Sequence, residues 1–429
     1  MIRRTLLEWG ILPYGDGEAE IPPWAADRVA KVASASVFAG RHGGGVVEQG
    51  RKALRARGIV GVIASSDCAL EILPKIEVKG DNGEATGQIR RRLVHMLASV
   101  LDLDIDVGKI SEFAWQRESL LEILVRIFAD KLIEAVRRGL PRHYIQQADD
   151  LPAIRGKLDV TRQFTKLAAE PSRLSCRYDA LTADIPLNQV MRATVTTLAR
   201  VTRSASNQRS LRELVFAYAD ISDLSMSAFR WEQVVLDRTN QRWRELFDLA
   251  RLLLEGRFQT TTAGDSGGFS LLFEMNALFE EYVSITLKRV LAGTDLRVIS
   301  QGGRLFCLEN EEHRGLFQTR PDILIKRGEE VVQIIDTKWK KIANRIDDQK
   351  HGVAQGDVYQ MMAYGQIYKC ARLTLVYPHH TALHFDEGIQ AVHSVTGSTA
   401  RLGVATIDVA RGAQIGQRLE SIVRQQLAS

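Results

Sequence analysis

Thr319-Arg-Pro-Asp-Ile-Leu-Ile-Lys-Arg-Gly-Glu-Glu-Val-Val-Gln-Ile-Ile-Asp-Thr-Lys-Trp-Lys340 is the stretch on which the reading of this chain turns. Two apolar, β-branched runs flank a charged turn at Gly328, the pattern of a β-hairpin with largely buried strands. Asp322 opens the first run, and Asp336 and Lys338 close the second. Glu329, in the turn, is equidistant from Asp322 and Asp336 along the chain, so the two aspartates are expected opposite each other across the ladder. Lys338 stands two residues beyond Asp336 and therefore shares its face. Three charges converge on one side of an otherwise apolar hairpin.

Buried charges without partners are costly, and adjacent carboxylates repel unless a cation lies between them. A hard divalent ion such as magnesium resolves the conflict, because it accepts one or two protein carboxylates and keeps its other positions for water and phosphate. Such a site could hydrolyse a phosphodiester, with Lys338 orienting the water or stabilising the phosphoryl oxygens. The plainer alternative is a hairpin end closed by an ordinary Asp-Lys ion pair.

Working outward, the chain has 429 residues, enough for roughly two or three domains. With 45% hydrophobic and 25% charged residues its composition is that of an ordinary globular protein. The net charge of +5 argues only weakly for a polyanionic partner, so any basic patch must be local. Cys68, Cys176, Cys307 and Cys370 form no Cys-x-x-Cys pair, which speaks against a zinc site and a disulfide framework. Glu8 interrupts the first apolar run and no stretch approaches a membrane span, so a cytoplasmic protein without an anchor is expected.

Residues 1–82 read as a small β-rich domain with a second hairpin, Gly58–Ala64 and Leu70–Pro74. The glycine-rich segment Gly40–Gly45 lacks a preceding strand and a Gly-Lys-Ser/Thr ending, and reads as a loop. No Walker A sequence occurs, so a nucleotide-driven motor would have to be another polypeptide. Residues 83–262 form a mainly helical middle domain. Helical spacing covers Arg90–Leu97, Ser119–Arg138, Leu187–Arg203 and roughly 208–219 and 232–256, with Ile154–Val160 and Cys176–Asp184 inserted as a β-hairpin. Arg90, Arg91, Arg92, Arg137, Arg138 and Arg142 are expected on solvated helix faces, with phosphate contact as the alternative. Thr260–Gly268 is the linker to a last domain, 263–429.

In that domain a helix is expected over Leu271–Leu291, with Met275, Phe279, Tyr282, Thr286 and Val290 as its apolar stripe. Glu280 falls at the stripe's margin, aimed toward the core side; it supplies a further metal ligand or snorkels outward. A second helix over Val353–Tyr368 places Gln360 and Tyr364 four apart on one face, a weak signal alone. Strands are expected at Arg372–Tyr377 and Val404–Val409, followed by a basic amphipathic C-terminal helix. His379, His380 and His384 follow the first of these without a carboxylate companion and read as loop.

The order helix with Glu280, strand, strand with Asp322, strand with Asp336-Thr337-Lys338, helix with Gln360 and Tyr364, strand is similar to the PD-(D/E)xK nuclease core. The Gln-x-x-x-Tyr resembles its RecB-type branch. Leu70–Ile76, Arg155–Val160, Tyr178–Asp184 with Pro186-Leu-Asn188, Phe273–Val283 and Asp357–Tyr364 are similar to phrases of the McrC family, nuclease subunits of McrBC modification-dependent restriction systems. The resemblance implies an α+β multidomain protein: a β-rich N-terminal domain that docks on an AAA+ partner, the helical middle, and an α/β nuclease core with a mixed central sheet. It implies a DNA endonuclease of a 5-methylcytosine-type restriction system, using Mg²⁺ with Mn²⁺ as a substitute ion. Asp322, Asp336 and Glu280 would hold metal, Lys338 would act on the water or phosphoryl oxygens, and Gln360 and Tyr364 would support the site or touch DNA. The implied partners are a McrB-like AAA+ GTPase hexamer, double-stranded DNA and a second copy of the chain. A stand-alone RecB-like repair nuclease and a non-cleaving activator of an AAA+ ring are the alternatives.

Overall fold

The chain begins with a strand, Ile2–Leu7 (β1), whose side chains alternate between half-buried and exposed. The computed structural model describes residues 2–36, 38, 45–65, 67–76, 82–103, 110–170, 172–224, 230–254, 268–342, 352–380, 383, 386–409 and 414–428. They fall into two units, Met1–Ile123 with Phe258–Ser429, and Leu124–Arg257. After β1 come Ile11–Pro13 (β2), the helix Pro23–Ser34 (α1), Val47–Gln49 (β3), Ala53–Ala56 (β4), Ile59–Ala64 (β5) and Cys68–Leu73 (β6). Strands β2, β4 and β3 form a small sheet, while β5 and β6 pair as the expected hairpin. Strand β1 runs parallel to β6. Helix α1, absent from the sequence expectation, starts at Pro23 and buries Ala25, Val29 and Val32 with Ile63, Leu70 and Ile72.

Three helices follow, Asn82–Val100 (α2), Glu112–Arg117 (α3) and Leu120–Arg137 (α4). Arg90 of α2, expected on a solvated face or against phosphate, is buried instead. Its guanidinium donates to both carboxylate oxygens of Glu71 on β6, at 3.0 and 2.7 Å, and to the carbonyls of Trp115 and Gln116, each at 2.9 Å. Glu71 also accepts from the Leu120 backbone N–H at 2.7 Å and the Thr5 hydroxyl at 2.9 Å. A fully desolvated pair is tolerable only when it is well hydrogen-bonded; here the carboxylate accepts four bonds and the guanidinium donates four.

The second unit holds His143–Leu151 (β7), Lys157–Leu158 (β8), Val160–Thr165 (α5), Leu174–Thr182 (β9), Pro186–Val201 (α6), Ala205–Ala217 (α7) and Arg244–Leu254 (α8). The hairpin expected between Ile154–Val160 and Cys176–Asp184 is only the two-residue β8 against β9. The main partner of β9 is β7, in register from His143 opposite Thr182 to Leu151 opposite Leu174. Asn188 explains the Pro-Leu-Asn phrase, since its buried amide donates to the carbonyls of Pro141 and Ala183 and ties the two ends of this sheet to α6. The helix expected over 232–256 is shorter. Asp237 and Asn240 capture nearby backbone N–H groups in a turn, and only α8 follows.

Back in the first unit come Phe269–Glu274 (β10), Met275–Val290 (α9), Leu296–Ser300 (β11), Phe306–Glu309 (β12), Gly315–Gln318 (β13), Ile323–Arg327 (β14), Glu330–Thr337 (β15), Gln355–Ile367 (α10), Arg372–Pro378 (β16), Gly388–Ser394 (β17), Arg401–Ile407 (β18) and Gln414–Ala428 (α11). The helix expected from Leu271 starts at Met275 because Phe269–Glu274 pairs antiparallel with β5. At Gly61, with φ +133°, an added Cβ would lie 1.9 Å from the Leu271 carbonyl oxygen, so this pairing requires glycine. The first sheet is therefore β1-β6-β5-β10. This grouping differs from a division at residues 82 and 262, and most of the linker Thr260–Gly268 lies outside the described residues, as do residues 40–44 of the glycine-rich loop.

The second large sheet is mixed, in the order β11-β14-β15-β16-β18-β17. Strands β15, β16 and β18 run parallel, and β14, β15 and β16 are buried along most of their length, so apolar side chains point both ways. Met361 and Tyr364 of α10 pack with Leu324, Ile334, Leu373, Leu375 and Val404. No helix among the described residues is long and apolar enough to cross a membrane. Arg90→Ala is expected to destabilise the protein by about 3–5 kcal/mol, because it strands the Glu71 carboxylate in the interior. Chemical unfolding curves check this, and a loss within about 0.5 kcal/mol, the range of an ordinary surface change, would contradict it.

Candidate active site

Strands β14 and β15 pair with Ile323 opposite Ile335, a register that carries Asp322 to the position facing Asp336. A bulge between Ile325 and Lys326 shifts the far end of the hairpin without disturbing this end. Asp336 is fully buried, beside Leu375 of the parallel strand β16. Asp322 stands just ahead of β14, and its Oδ2 accepts from the Thr337 backbone N–H at 2.8 Å and hydroxyl at 2.9 Å. The Lys338 ammonium lies 2.5 Å from Asp336 Oδ2. Asp336 Oδ1 has no hydrogen-bond partner among the described residues.

Lys338 is held from a second side. It donates to Gln360 Oε1 at 3.3 Å, and Gln360 Nε2 donates to the Tyr364 hydroxyl at 2.8 Å. The amide is thus fixed with its oxygen toward the lysine. The structure brings Asp322, Asp336, Lys338, Gln360 and Tyr364 into one connected group at one end of the mixed sheet.

Glu280 completes the electrostatics from α9. Burial first, and then the negative charge of Asp322, push its carboxyl up to about 7. Gln301 donates a hydrogen bond to it. Burial followed by Asp322 likewise pushes Asp336 up to about 6, against the pull of Lys338. Asp322 is raised by burial and held back by Thr337. Burial alone would lower Lys338, but Asp336 outweighs it and the ammonium stays charged. A fully buried carboxyl and two half-buried ones competing for one lysine carry more negative charge than it can neutralise.

Sequence reasoning missed several contributors. Thr337 was legible only as the middle of Asp-Thr-Lys, yet it orients Asp322 with both backbone and side chain. Gln301 lies between Glu280 and the Arg320 guanidinium, which donates to its Oε1, and its own N–H donates to the Asp322 carbonyl at 2.7 Å. Asp357 pairs with Lys340 and accepts from the Tyr377 hydroxyl at 3.3 Å. His379 and His380 are engaged with the Thr406 hydroxyl and the Ile342 carbonyl, each at 3.0 Å, and His384 lies outside the described residues. An apolar groove lined by Val353, Val358, Tyr359, His393, Leu402 and Val404 is separate from all of these.

No three His, Cys, Asp or Glu side chains among the described residues stand together as a ready-made metal cluster. The donor set nevertheless fits a hard cation. Asp336 offers a buried oxygen without a partner, Asp322 faces it, and such an ion needs only one or two protein carboxylates. Without metal, the raised carboxyl of Glu280 has a consequence for stability. Its folded value of about 7 lies above the ordinary 4.5, so its contribution is full below 4.5 and is lost as pH rises through 7. The stability of the metal-free protein relative to Glu280→Gln should therefore fall between those pH values. Thermal unfolding of both proteins across that range checks it, and a flat difference would contradict it.

Residues 54–378 match the family model of the McrBC 5-methylcytosine restriction system component. No curated protein matches. Among solved structures, the chain is similar to one in the refined half-complex from the tetradecameric assembly of Thermococcus gammatolerans McrB AAA+ hexamers with bound McrC. The identity is 22%, the TM-score is 0.73, and the match covers 99% of both chains. It is also similar to one in the cryo-EM structure of the Thermococcus gammatolerans McrBC complex, at 26% identity and a TM-score of 0.53, covering 68% of this chain and 88% of that one. With its carboxylate and lysine group inside a family match that spans well over half of its length, the chain belongs to the McrBC 5-methylcytosine restriction system component family.

Proposed function

We propose that this chain is the cutting component of its restriction system, a Mg²⁺-dependent DNA endonuclease with a PD-(D/E)xK core. The observation that carries the reading is the buried, partly unpartnered Asp336 facing Asp322 with Lys338 against it. Asp322 and Asp336 would hold the ion, with Glu280 assisting. When bound, Mg²⁺, or Mn²⁺ in its place, polarises the phosphate and acidifies a water. Lys338 is kept charged and aimed by Asp336 and Gln360, and donates to the water or to the phosphoryl oxygens. The donor-only Lys338 ammonium requires the Gln360 oxygen on its side, and Tyr364 accepts from the amide nitrogen on the other.

The motor is a McrB-like AAA+ hexamer, and two copies of the chain cut the two strands of DNA. The full-length similarity to a chain from an McrB–McrC assembly supports this partner, as does the missing Walker A sequence. Exposed large apolar side chains are the places to test for a docking face. The described residues offer them around Trp9, Ile11 and Trp24 in the expected N-terminal region, and again on the β7-β9-β8 region of the second unit, at Tyr144, Ile154 and Phe164. Alanine replacement in either group, scored by stimulation of the partner's nucleotide hydrolysis, identifies the docking face.

Asp336→Asn, Asp322→Asn and Lys338→Ala are each expected to lower cleavage by about 100-fold or more. Nucleotide hydrolysis by the partner ring should persist in all three. The measurement is DNA cleavage and nucleotide turnover in one reconstituted assembly. Cleavage at the wild-type rate by Asp336→Asn would remove the nuclease reading, and cleavage by the chain alone would favour a stand-alone enzyme.

A further inference from the structure

Beyond Thr337 the chain leaves β15, and the ladder offers only one more bond, from the Lys338 N–H to the Val376 carbonyl at 2.9 Å. A lysine at the frayed end of a strand keeps much of its rotational freedom unless the next residue is anchored. The next residue is Trp339, and it is held on three sides. Its backbone N–H donates to Asn276 Oδ1 at 3.2 Å. Its ring meets Phe279 edge to face, with centroids 5.2 Å apart. Its indole N–H donates to Glu8 Oε1 at 2.8 Å.

Glu8 lies at the other end of the sequence, immediately after β1, and is 4% exposed. Its own N–H donates to the Leu73 carbonyl at 2.8 Å, and its Oε1 also accepts from the Lys75 N–H at 2.8 Å. The side chain therefore crosses from the ends of β1 and β6 to the segment that carries the site's lysine. A buried carboxylate is costly, and its bond from the Lys75 N–H lies just past β6, outside the paired residues of β1, β6 and β5. Burial raises its carboxyl above the ordinary range, while the bonds from Lys75 and Trp339 lower it.

We infer that Glu8 is a positioning residue for the cutting reaction: by anchoring the Trp339 indole it fixes the backbone at Lys338 and aims the lysine at its acceptors. The inference rests on the nuclease reading of the site. It assigns the residue that follows the N-terminal strand a direct part in the geometry of the cut.

The test compares wild-type protein with Glu8→Ala, Glu8→Gln, Trp339→Phe and the Glu8→Ala/Trp339→Phe pair, each assembled with its AAA+ partner, nucleotide, Mg²⁺ and modified DNA. Glu8→Ala should lower kcat for cleavage about tenfold with little change in KM, because the lysine is misaimed and DNA binding is untouched. Trp339→Phe keeps an aromatic ring beside Phe279 but loses the N–H together with part of the indole's volume, so it should lower kcat at least as much as Glu8→Ala. The double variant should be no worse than Trp339→Phe alone. Glu8→Gln retains an acceptor and should recover most of the rate. The Trp339 emission, taken as the difference from the Trp339→Phe spectrum, should shift in Glu8→Ala and return in Glu8→Gln. Wild-type kcat in both single variants, or additive losses in the double one, overturns the inference while leaving the nuclease reading in place. Failure of the wild-type assembly to cut overturns that reading and this inference with it.

Discussion

Asp336 is a carboxylate with no solvent exposure, set in a strand between two others. Most of what is distinctive in the C-terminal sheet answers that constraint. An ionised group in this position is tolerable only beside a cation, and the chain provides one two residues on, where the pleat returns to the same face. The lysine is not enough. Asp322 faces the same space, Glu280 feels both charges, and one oxygen of Asp336 has no hydrogen-bond partner among the described residues. A site left short of positive charge in this way is destabilised until another cation or a proton arrives, and the raised carboxyls express that shortage.

The same logic explains why the site sits at the end of the sheet rather than in its middle. Strand β15 is covered on both faces, and its interior positions Ile334 and Ile335 are apolar. At Asp336 to Lys338 the polar side chains Glu280 of α9 and Gln360 of α10 act on the strand's charged end. Helix α9 can do so because β10 precedes it directly and is fixed in the first sheet by the close approach at Gly61. The Glu71–Arg90 pair stabilises the other side of that sheet by engaging α2, the residues ending α3 and the start of α4. A glycine and a desolvated ion pair, both remote in sequence from the carboxylates, thus support the helix that delivers Glu280.

Much of the site was legible because its chemistry is local. Asp322, Asp336 and Lys338 are related by strand geometry across one short turn, and Gln360 and Tyr364 by one helical turn. What was not legible depends on partners far along the chain. Arg90 reads as one of three surface arginines until Glu71 is placed beneath it. Phe269–Glu274 suits a helix or a strand equally well, and only β5 decides between them. Strand β7 escaped notice because its central residues are polar and exposed, so it lacks the apolar alternation that marks a half-buried strand. The expected separation of the N-terminal part from the last part did not anticipate a shared sheet, because the partner of β10 lies about two hundred residues earlier in the chain.

Lys338 shows how these levels meet. Its charge is set by Asp336 and its direction by Gln360, whose amide nitrogen is in turn bound by Tyr364. Each of these acts on the ammonium end of a long flexible side chain, and an ammonium with three rotatable donors can satisfy them from more than one backbone position. Fixing the head group therefore does not fix the stem. The remaining freedom lies at the Cα, past the last residue of β15, and it is limited there by the Val376 carbonyl and by the packing and hydrogen bonds of Trp339. A lysine at a strand end needs both kinds of restraint, and the second comes from residues that no spacing rule within the hairpin would select.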